Sequence, residues 1–461
     1  MSLAPVLAQI DADLDESVER LFNLLRIRSI STDPLYKEDC EEAADWLVNQ
    51  LALFGSNVKK YATSGHPMVL GDVFPKNSDG KLHILFYGHY DVQPVDPVDL
   101  WDRDPFDPAI EATPKGKVIR GRGASDDKGQ LMTFIEACRA WKLVHGDFPC
   151  RITFFFEGEE ESGSPSLVPF MQEHKEKLIS DVVLICDTGL FQSETPAIVT
   201  RLRGLLGEEV TVTGPDKDLH SGMYGGLAIN PIRILSKVLA NLHNADGRIT
   251  VPGFYEGVPY LPDEISGQWE ALKFDHQNFL GNVDLSVPAG EQGYTPLEMI
   301  WSRPTCEING IIGGYTGEGF KTVLPSKASA KVSFRLVGDQ DPHKIRSSFR
   351  EYIRSMVPDD CKIEFIAHGA SQGSVMSTRA PEFEAARKAL SEEWPNEAAF
   401  VGCGGSIPIA GHFQKITGVT PMLIGFGKDD DQLHSPNEKY DLESFHKGIR
   451  SWARVLAELA D

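Results

Sequence analysis

The chain has 461 residues, of which 41% are hydrophobic and 24% are charged. These globular proportions exclude wholesale disorder and fibrous repeats, and at roughly 150 residues per domain the length fits two or three domains. The formal net charge of −22 argues against nucleic acid and against a membrane surface as partners, because acidic chains repel both. Small molecules or proteins are the expected partners.

The seven cysteines are scattered and never form a C-x-x-C pair, which argues against a disulfide framework and against a zinc finger. The segment from Met1 to Leu14 carries Asp11 and Asp13 and lacks a basic start, so it does not resemble a signal peptide. No stretch reaches the ~18 apolar residues of a membrane-spanning helix. We therefore expect a protein of a reducing compartment, the cytoplasm.

Apolar and amphipathic segments alternate along the two ends of the chain. The predicted elements are helices near 14–25 and 40–54, a strand at 83–88, a helix at 128–144, a strand at 151–157, a helix at 166–177, a strand at 181–186, a helix at 382–393, a strand at 421–427 and a helix at 441–459. Continuous apolar strands that alternate with helices are typical of a parallel sheet covered on both faces. The predicted class is therefore α/β, with a doubly wound, mostly parallel sheet formed by residues 1–205 and 371–461.

The pattern changes between these two segments. The predicted order is a strand at 207–214, a helix at 231–242, strands at 305–312 and 327–337, a helix at 342–356 and a strand at 361–367. This β-α-β-β-α-β order is typical of a ferredoxin-like α+β domain. We predict such a domain over 206–370, inserted into the first, with its own long insertion at about 245–304.

Acidic or imidazole side chains follow several strands of the first domain. They are His89 and Asp91, Asp126 and Asp127, the run from Glu159 to Glu161, Asp187, and His434. Each group alone could be a solvated turn, but the carboxyl ends of parallel strands meet at one edge of a sheet. Carboxylates and imidazoles without thiolates suit zinc, manganese or cobalt in an open catalytic site. The sequence therefore predicts a metal site at this edge.

The number of ligands favours two metal ions. Two histidines and three carboxylates exceed the usual three protein ligands of one catalytic zinc, whereas two ions can share a bridging carboxylate. A water activated there needs a base to take its proton. The neighbours Glu159 and Glu160 cannot easily point the same way, so one can bind metal while the other serves as the base.

Seven segments carry a resemblance to a known family. They are "GHYDVQP" (88–94), "GRGASDDKG" (121–129), "FEGEEESGS" (156–164), "DLHSGMYGG" (218–226), "FKTVLPSKASAKVSFRLV" (320–337), "GGSIP" (404–408) and "LHSPNEK" (433–439). In this order they resemble the dinuclear-zinc metallopeptidases that include carnosinase, cytosolic nonspecific dipeptidase and, more distantly, carboxypeptidase G and the N-acyl amino acid deacylases. The similarity covers essentially the whole chain.

The resemblance implies a role for each matching residue. It places His89 and Asp187 on one metal, Glu160 and His434 on the other, and Asp126 between them. It makes Glu159 the general acid/base and Asp91 the carboxylate that orients His89, as a neighbour of a metal-bound histidine commonly does. It also implies two divalent ions per subunit, zinc first, with manganese or cobalt as alternatives.

Further residues enter by the same resemblance. It implies that His220 stabilises the oxyanion, that Arg335 binds the substrate carboxylate, and that Thr322, Gly405 and Ser406 line the site. Arg335 could instead be a surface charge on its strand, and Gly405 could only permit a tight turn. An oxyanion donor must approach within about 2.7–3.1 Å, so His220 of the inserted domain needs a closing lid or a second chain. In the resembling dipeptidases the inserted domain dimerises, so we expect a homodimer in which His220 acts in trans.

The leading functional hypothesis is a metal-dependent peptidase that hydrolyses the amide bond of dipeptides. The nearest alternative is an N-acyl amino acid deacylase with the same metal site. A dinuclear phosphoesterase would need more cationic groups than Arg335. A binding protein on this scaffold would lack a metal ligand, and none is missing.

Overall fold

The computed structural model describes residues 1–55 and 57–460, which form two units. Unit 1 contains Met1–Thr200, Met376–Val401 and the residues from His412 onward, and unit 2 contains Arg201–Val375 and Gly402–Gly411. The predicted boundaries at 205 and 371 lie within five residues of these. The segment 402–411 belongs to unit 2, whereas it was predicted to belong to the first domain. Hydrogen bonds explain its place in unit 2, since the backbone N–H of Arg203 donates to Gly405 O at 3.0 Å.

Unit 1 begins with fourteen elements in the described part of the chain. They are α1 (Ala4–Ala12), α2 (Leu14–Leu25), α3 (Lys37–Ala52), β1 (Asn57–Tyr61), β2 (Met68–Val73), β3 (His83–His89), β4 (Ala109–Thr113), β5 (Gly116–Arg120), α4 (Lys128–His145), β6 (Arg151–Glu157), α5 (Leu167–Glu173), α6 (Lys175–Leu178), β7 (Val182–Ile185) and β8 (Ala197–Leu202). The predicted helices and strands of this segment are present. Sequence analysis did not predict α1, β1, β2, β4, β5 or β8.

Unit 2 follows, and the chain then returns to unit 1. The elements are β9 (Gly204–Thr213), β10 (Leu219–His220), α7 (Ser221–Tyr224), α8 (Pro231–Ala240), α9 (Asp263–Ala271), α10 (His276–Gly281), α11 (Pro296–Trp301), β11 (Thr305–Gly313), β12 (Val323–Leu324), β13 (Lys327–Leu336), α12 (Pro342–Met356), β14 (Lys362–Ser371), β15 (Ser374–Val375), α13 (Pro381–Ser391), β16 (Ala399–Cys403), α14 (Pro408–Thr417), β17 (Pro421–Gly425), β18 (Lys439–Asp441) and α15 (Leu442–Glu458).

The main sheet of unit 1 has the strand order β1-β2-β6-β3-β7-β17-β8. Its centre is parallel, since β3 pairs with β6 and β7, and β7 pairs with β17, all in parallel register. The outer pairs β1-β2, β2-β6 and β17-β8 are antiparallel. The prediction of an α/β fold with a mostly parallel sheet is confirmed, and the carboxyl ends of the four central strands lie at one edge.

An aromatic cluster holds α4 and α15 against this sheet. Phe86 of β3 stacks on Phe134 of α4 with ring centroids 3.9 Å apart, and Trp452 of α15 meets both rings edge to face at 5.7 and 5.4 Å. All three side chains are fully buried. Aromatic pairs of this geometry contribute about 0.5–1.5 kcal/mol beyond their buried area. The cluster therefore packs the first half of α4 and the helix α15 against the middle of β3.

Unit 2 contains an antiparallel sheet of four strands in the order β11-β13-β9-β14. With helices α8 and α12 this is the predicted ferredoxin-like arrangement. Along β9 the burial alternates residue by residue, as expected for a sheet with one covered face. The covered face packs against α8 and α12 around Phe334 and Phe349, whose rings lie 5.2 Å apart.

The insertion at 245–304 is structured rather than a loose loop. It contains α9, α10 and α11, and Trp269 of α9 packs edge to face on Trp301 of α11 at 5.1 Å. The buried carboxylate of Glu291 joins Arg248 at 2.9 Å and Arg303 at 2.7 Å. Across the described residues, none of the helices combines the length and the apolar character that crossing a membrane requires.

Candidate metal centre

The predicted metal-binding residues lie where the central strands of unit 1 end. His89 is the last residue of β3, Asp187 follows β7 by two residues, and Glu160 begins a short 3-10 turn after β6. Asp126 lies two residues before α4, and His434 lies between β17 and β18. The sheet topology alone therefore brings these segments of the chain together.

Two groups of possible ligands share one carboxylate. The first group is His89, Asp126 and Asp187, and the second is Asp126, Glu161 and His434; within each, one ligand atom per residue lies within 4.8 Å of the others. Asp126 Oδ1 lies 3.1 Å from His89 Nε2, and Asp126 Oδ2 lies 2.9 Å from His434 Nε2. Each oxygen of Asp126 thus faces one group, which is the arrangement of a bridging carboxylate.

Glu161 belongs to the second group, whereas the sequence analysis named Glu160 as the ligand that accompanies His434. Glu161 Oε2 lies 3.3 Å from His434 Nε2 and accepts a hydrogen bond of 2.6 Å from Gln93 Nε2. Its other oxygen, Oε1, is buried and has no hydrogen-bond partner among the described residues. A buried carboxylate oxygen without a donor is costly unless a cation meets it. The residues present therefore fit a metal ion here.

Glu159, which the sequence analysis named as the general base, has both carboxylate oxygens hydrogen-bonded to the backbone. Its Oε1 accepts the backbone N–H of His66 at 2.9 Å and its Oε2 accepts the backbone N–H of Ser166 at 3.0 Å. The side chain is buried and packs on the backbone of Gly65, where any Cβ would overlap Oε1. Both oxygens are thus used to hold loops together.

Glu160 is the third carboxylate of the run. It neither belongs to the second ligand group, as Glu161 does, nor anchors loops, as Glu159 does. It is largely buried, and burial raises the pKa of Glu160 to about 7, opposed by His89. Groups with shifted pKa values near neutrality are typical of acid–base catalysts. The neighbouring backbone therefore separates three consecutive glutamates into a loop anchor, a candidate base and a candidate ligand.

Asp91 contacts residues of both ligand groups. It is fully buried, and its carboxylate lies 3.4 Å from His89 Nδ1. The same carboxylate accepts the Ser31 hydroxyl at 2.6 Å and the backbone N–H groups of Glu160 at 3.2 Å and Glu161 at 3.0 Å. It therefore fixes both the imidazole and the turn that carries the glutamates.

The pKa values of the grouped residues reflect their closeness. Burial would raise the pKa of Asp126, but the hydrogen bonds with His434 and His89 hold it well below its usual range. Burial raises the pKa of Asp187 well above its usual range, and the neighbouring Asp126 adds to this. The hydrogen bonds with Asp126 and Glu161 raise the pKa of His434 to about 10. Such strong mutual perturbation is characteristic of a functional site.

In unit 2, His220 ends β10 and is exposed. Its Nδ1 accepts the backbone N–H of Gly222 at 3.1 Å, which leaves Nε2 as the nitrogen that carries the proton. Thr322 is exposed, and its carbonyl accepts the N–H of Ser221 at 3.2 Å. The histidine therefore presents an N–H donor outward.

Arg335, Gly405 and Ser406 lie together in unit 2. Arg335 Nη1 donates to Ser406 Oγ at 3.1 Å, and that hydroxyl donates to Arg203 O. Arg203 Nε donates to Gly404 O at 2.9 Å. Burial, with Arg335 beside it, lowers the pKa of Arg203 to about 10. Among the described residues neither guanidinium forms an ion pair, so unit 2 holds two neighbouring cations, with Glu307 near Arg203 but not paired with it.

Sequence analysis missed several of these residues. Gln93 stands four residues after His89 and two after Asp91, a spacing that puts side chains on one side of an extended segment, and this signal could have found it. Arg203 carried no signal, because it belongs to none of the motifs that indicated the site. Glu161 was part of the noted run of three glutamates.

The fold and this centre define a metal-dependent hydrolase of the peptidase type. The model of peptidase family M20/M25/M40 matches residues 85–458 of the chain. The chain belongs to this family.

Individual relatives match over nearly their whole length. The Cys-Gly metallodipeptidase dug1 of Schizosaccharomyces pombe is 31% identical, covering 100% of this chain and 99% of the relative. The human Beta-Ala-His dipeptidase is 29% identical, covering 99% and 93%. A structure of the dipeptidase Dug1p from Saccharomyces cerevisiae superposes with a TM-score of 0.82 at 28% identity, covering 100% of this chain and 98% of that chain.

A second similar structure is that of a carboxypeptidase. The M20 family metallo-carboxypeptidase Sso-CP2 from Sulfolobus solfataricus has a TM-score of 0.81 at 30% identity, covering 96% of this chain and 99% of that chain.

Proposed function

We propose that this chain hydrolyses the amide bond of dipeptides with a free carboxyl terminus. The observation that carries the proposal is the pair of ligand groups that share Asp126, with the unbound carboxylate of Glu160 beside them. The named dipeptidases among the relatives support the substrate class. The seven thiols, all free cysteines, suit a reducing compartment such as the cytoplasm.

Two divalent cations per subunit complete the centre, with zinc first and manganese or cobalt as alternatives. His89 and Asp187 would hold one ion and Glu161 and His434 the other, and Asp126 belongs to both groups of ligands. Bound there, the cations supply Lewis acidity to the scissile carbonyl and to the attacking water. Gln93 donates to Glu161 Oε2, the oxygen that lies 3.3 Å from His434 Nε2, and so holds the Glu161 side chain in the second group, while Oε1 has no partner among the described residues.

Glu160 performs the proton transfers of the reaction. Its carboxylate would take a proton from the attacking water and give that proton to the leaving amine, and its burial beside the two ligand groups suits this role. Asp91 holds the backbone of Glu160 and the ring of His89, so the base and the ligand keep a fixed relation. This assignment replaces Glu159 as the predicted base and Glu160 as the predicted ligand.

Unit 2 supplies the groups that recognise the substrate. Arg335 offers a planar fork that matches a carboxylate in a bidentate way, with Ser406 hydrogen-bonded to it and Gly405 and Thr322 as further lining residues. The neighbouring Arg203 adds positive charge beside Arg335, and the structure gives it no ion pair with a carboxylate of the described chain, although Glu307 lies near enough to raise its pKa slightly against the effect of burial. A substrate carboxylate is the expected counterion.

We further propose a homodimer in which His220 acts on the partner's site, where its Nε2–H stabilises the oxyanion. Strand β11 lies at the edge of the sheet of unit 2 and exposes three isoleucines, Ile308, Ile311 and Ile312, to 41%, 59% and 64%. An exposed apolar edge strand is normally covered by another chain. Dimerisation through this edge would cover it.

The test is hydrolysis by metal-loaded protein of matched substrate panels. The panels are dipeptides, the same dipeptides with an amidated carboxyl terminus, tripeptides, N-acyl amino acids and a phosphomonoester. We expect the highest kcat/KM with free dipeptides. Preference for N-acyl amino acids would favour the deacylase instead, and preference for tripeptides would favour a carboxypeptidase. No hydrolysis of any amide would refute the proposal.

A further inference from the structure

A buried carboxylate that sequence analysis passed over lies behind the metal centre. Glu438 is fully buried, and its side chain accepts four hydrogen bonds. Oε1 accepts the backbone N–H groups of Ser125 at 2.9 Å and Asp126 at 3.0 Å. Oε2 accepts the backbone N–H of Gly123 at 3.0 Å and Arg122 Nη1 at 2.7 Å. A carboxylate with this many donors has a single orientation.

The four donors belong to the segment that carries Asp126, and Glu438 belongs to the segment that carries His434. The backbone joins the same two segments, since Gly121 N donates to Glu438 O at 3.1 Å and β18 pairs with β5. Glu438 is therefore the side chain through which one ligand segment sets the backbone of the other.

We propose that Glu438 is a positioning residue that fixes the two-cation geometry by holding the backbone of Asp126. The inference rests on the metal binding of the proposed function. The two oxygens of Asp126 lie 3.1 Å from His89 and 2.9 Å from His434, so a rotation of this backbone would withdraw one oxygen from its group. Outer partners of metal ligands typically change metal affinity by 10–100-fold when they are mutated.

The alternative is that Glu438 only stabilises the fold, because it also forms an ion pair with the buried Arg122. Unit 1 offers a matched control in Glu136 of α4. This carboxylate is 3% exposed and accepts hydrogen bonds from Ser17 Oγ at 3.1 Å and from Arg20 Nη2 at 2.7 Å. It is nearly as buried as Glu438 and as well paired, but its hydrogen bonds within the described residues go to Ser17, Arg20 and Arg139 and to none of the proposed metal ligands. Loss of either carboxylate destabilises the fold, whereas only loss of Glu438 disturbs Asp126.

The experiment measures Mn²⁺ binding to the full-length protein, with no dependence on activity. Wild type, Glu438→Gln and Glu136→Gln are titrated with Mn²⁺, and paramagnetic resonance follows the signal of a spin-coupled Mn²⁺ pair. We expect Glu438→Gln to weaken the second Mn²⁺ by about 10–100-fold and to lose the coupled signal. Glu136→Gln should lower the unfolding temperature while it keeps the wild-type binding and signal. Wild-type Mn²⁺ binding and coupling in Glu438→Gln would overturn the inference.

Two further variants cover a failure of Glu438→Gln to fold. Glu438→Asp keeps the charge but is one methylene too short to reach both pairs of donors, so the second Mn²⁺ should weaken in the same direction. Arg122→Gln leaves the hydrogen bond from the Asp126 N–H to Glu438 in place. It should therefore weaken the binding of the second Mn²⁺ less. If Arg122→Gln weakened the second Mn²⁺ more than the Glu438 variants do, the ion pair would be the important interaction, and the inference would be overturned. If wild type bound no Mn²⁺ pair, the metal centre of the proposed function would fall as well.

Discussion

Three consecutive glutamates should give three different phenotypes when each is changed to glutamine. In Glu159→Gln, one oxygen becomes an NH2 group that faces a backbone N–H, either that of His66 or that of Ser166. A buried N–H left without an acceptor costs about 1–3 kcal/mol. We expect this loss in the free energy of unfolding, with metal content and kcat near those of wild type.

The other two variants should affect function instead. Glu160→Gln removes the proton acceptor and should lower kcat by about 10²–10⁴-fold, with both metals retained. Glu161→Gln keeps the hydrogen bond from Gln93 on its remaining oxygen but loses the carboxylate for the cation. It should therefore lose one metal ion per chain.

Three measurements on the same preparations separate these outcomes. Elemental analysis after dialysis gives metal per chain, steady-state hydrolysis of a dipeptide gives kcat, and urea unfolding gives stability. If Glu159→Gln were as stable as wild type but lost kcat with both metals bound, Glu159 would be the base, as the resemblance first implied. If Glu160→Gln lost a metal ion, Glu160 would be the ligand and the assignment of Glu161 would be wrong.

Three further outcomes are expected. Because the pKa of His434 is about 10 without metal and a ligand histidine must be neutral, metal affinity should rise about tenfold per pH unit for each proton released up to that pH; calorimetry at pH 8 that detects no proton release contradicts this. Arg335→Lys should lower kcat/KM for free dipeptides and add little penalty when they are amidated; equal amidation penalties in wild type and variant would exclude Arg335. Mixing His220→Ala with Glu160→Gln should restore activity in heterodimers, whereas action in cis would restore none.

The sequence was sufficient for the fold because its strands and helices differ in hydrophobic period. The all-buried strand β3 and the amphipathic helix α12 each lie within one residue of the predicted range. The strands β1, β4 and β5 were not predicted, since partly exposed strands of five residues carry little pattern. The buried strand β2 was not predicted either, and its six residues include a glycine and an aspartate.

The sequence indicated most of the site residues but did not distinguish the roles of the three glutamates. Strand ends indicated His89, Asp126, Asp187 and His434, but three adjacent glutamates are chemically identical, and only the backbone decides between them. Here the bonds from Asp91 to the turn after β6 set which carboxylate points to the cations. No periodicity encodes such bonds.

Asp91 also limits how the centre could be re-engineered. One carboxylate holds the ring of His89 and the N–H of Glu161, which we propose as ligands of different cations. A designer who wished to place two different metals side by side could not adjust one position through Asp91 without moving the other. The two positions would have to be retuned through residues that touch only one of them, and Gln93, bonded to Glu161 alone of the proposed ligands, is such a residue.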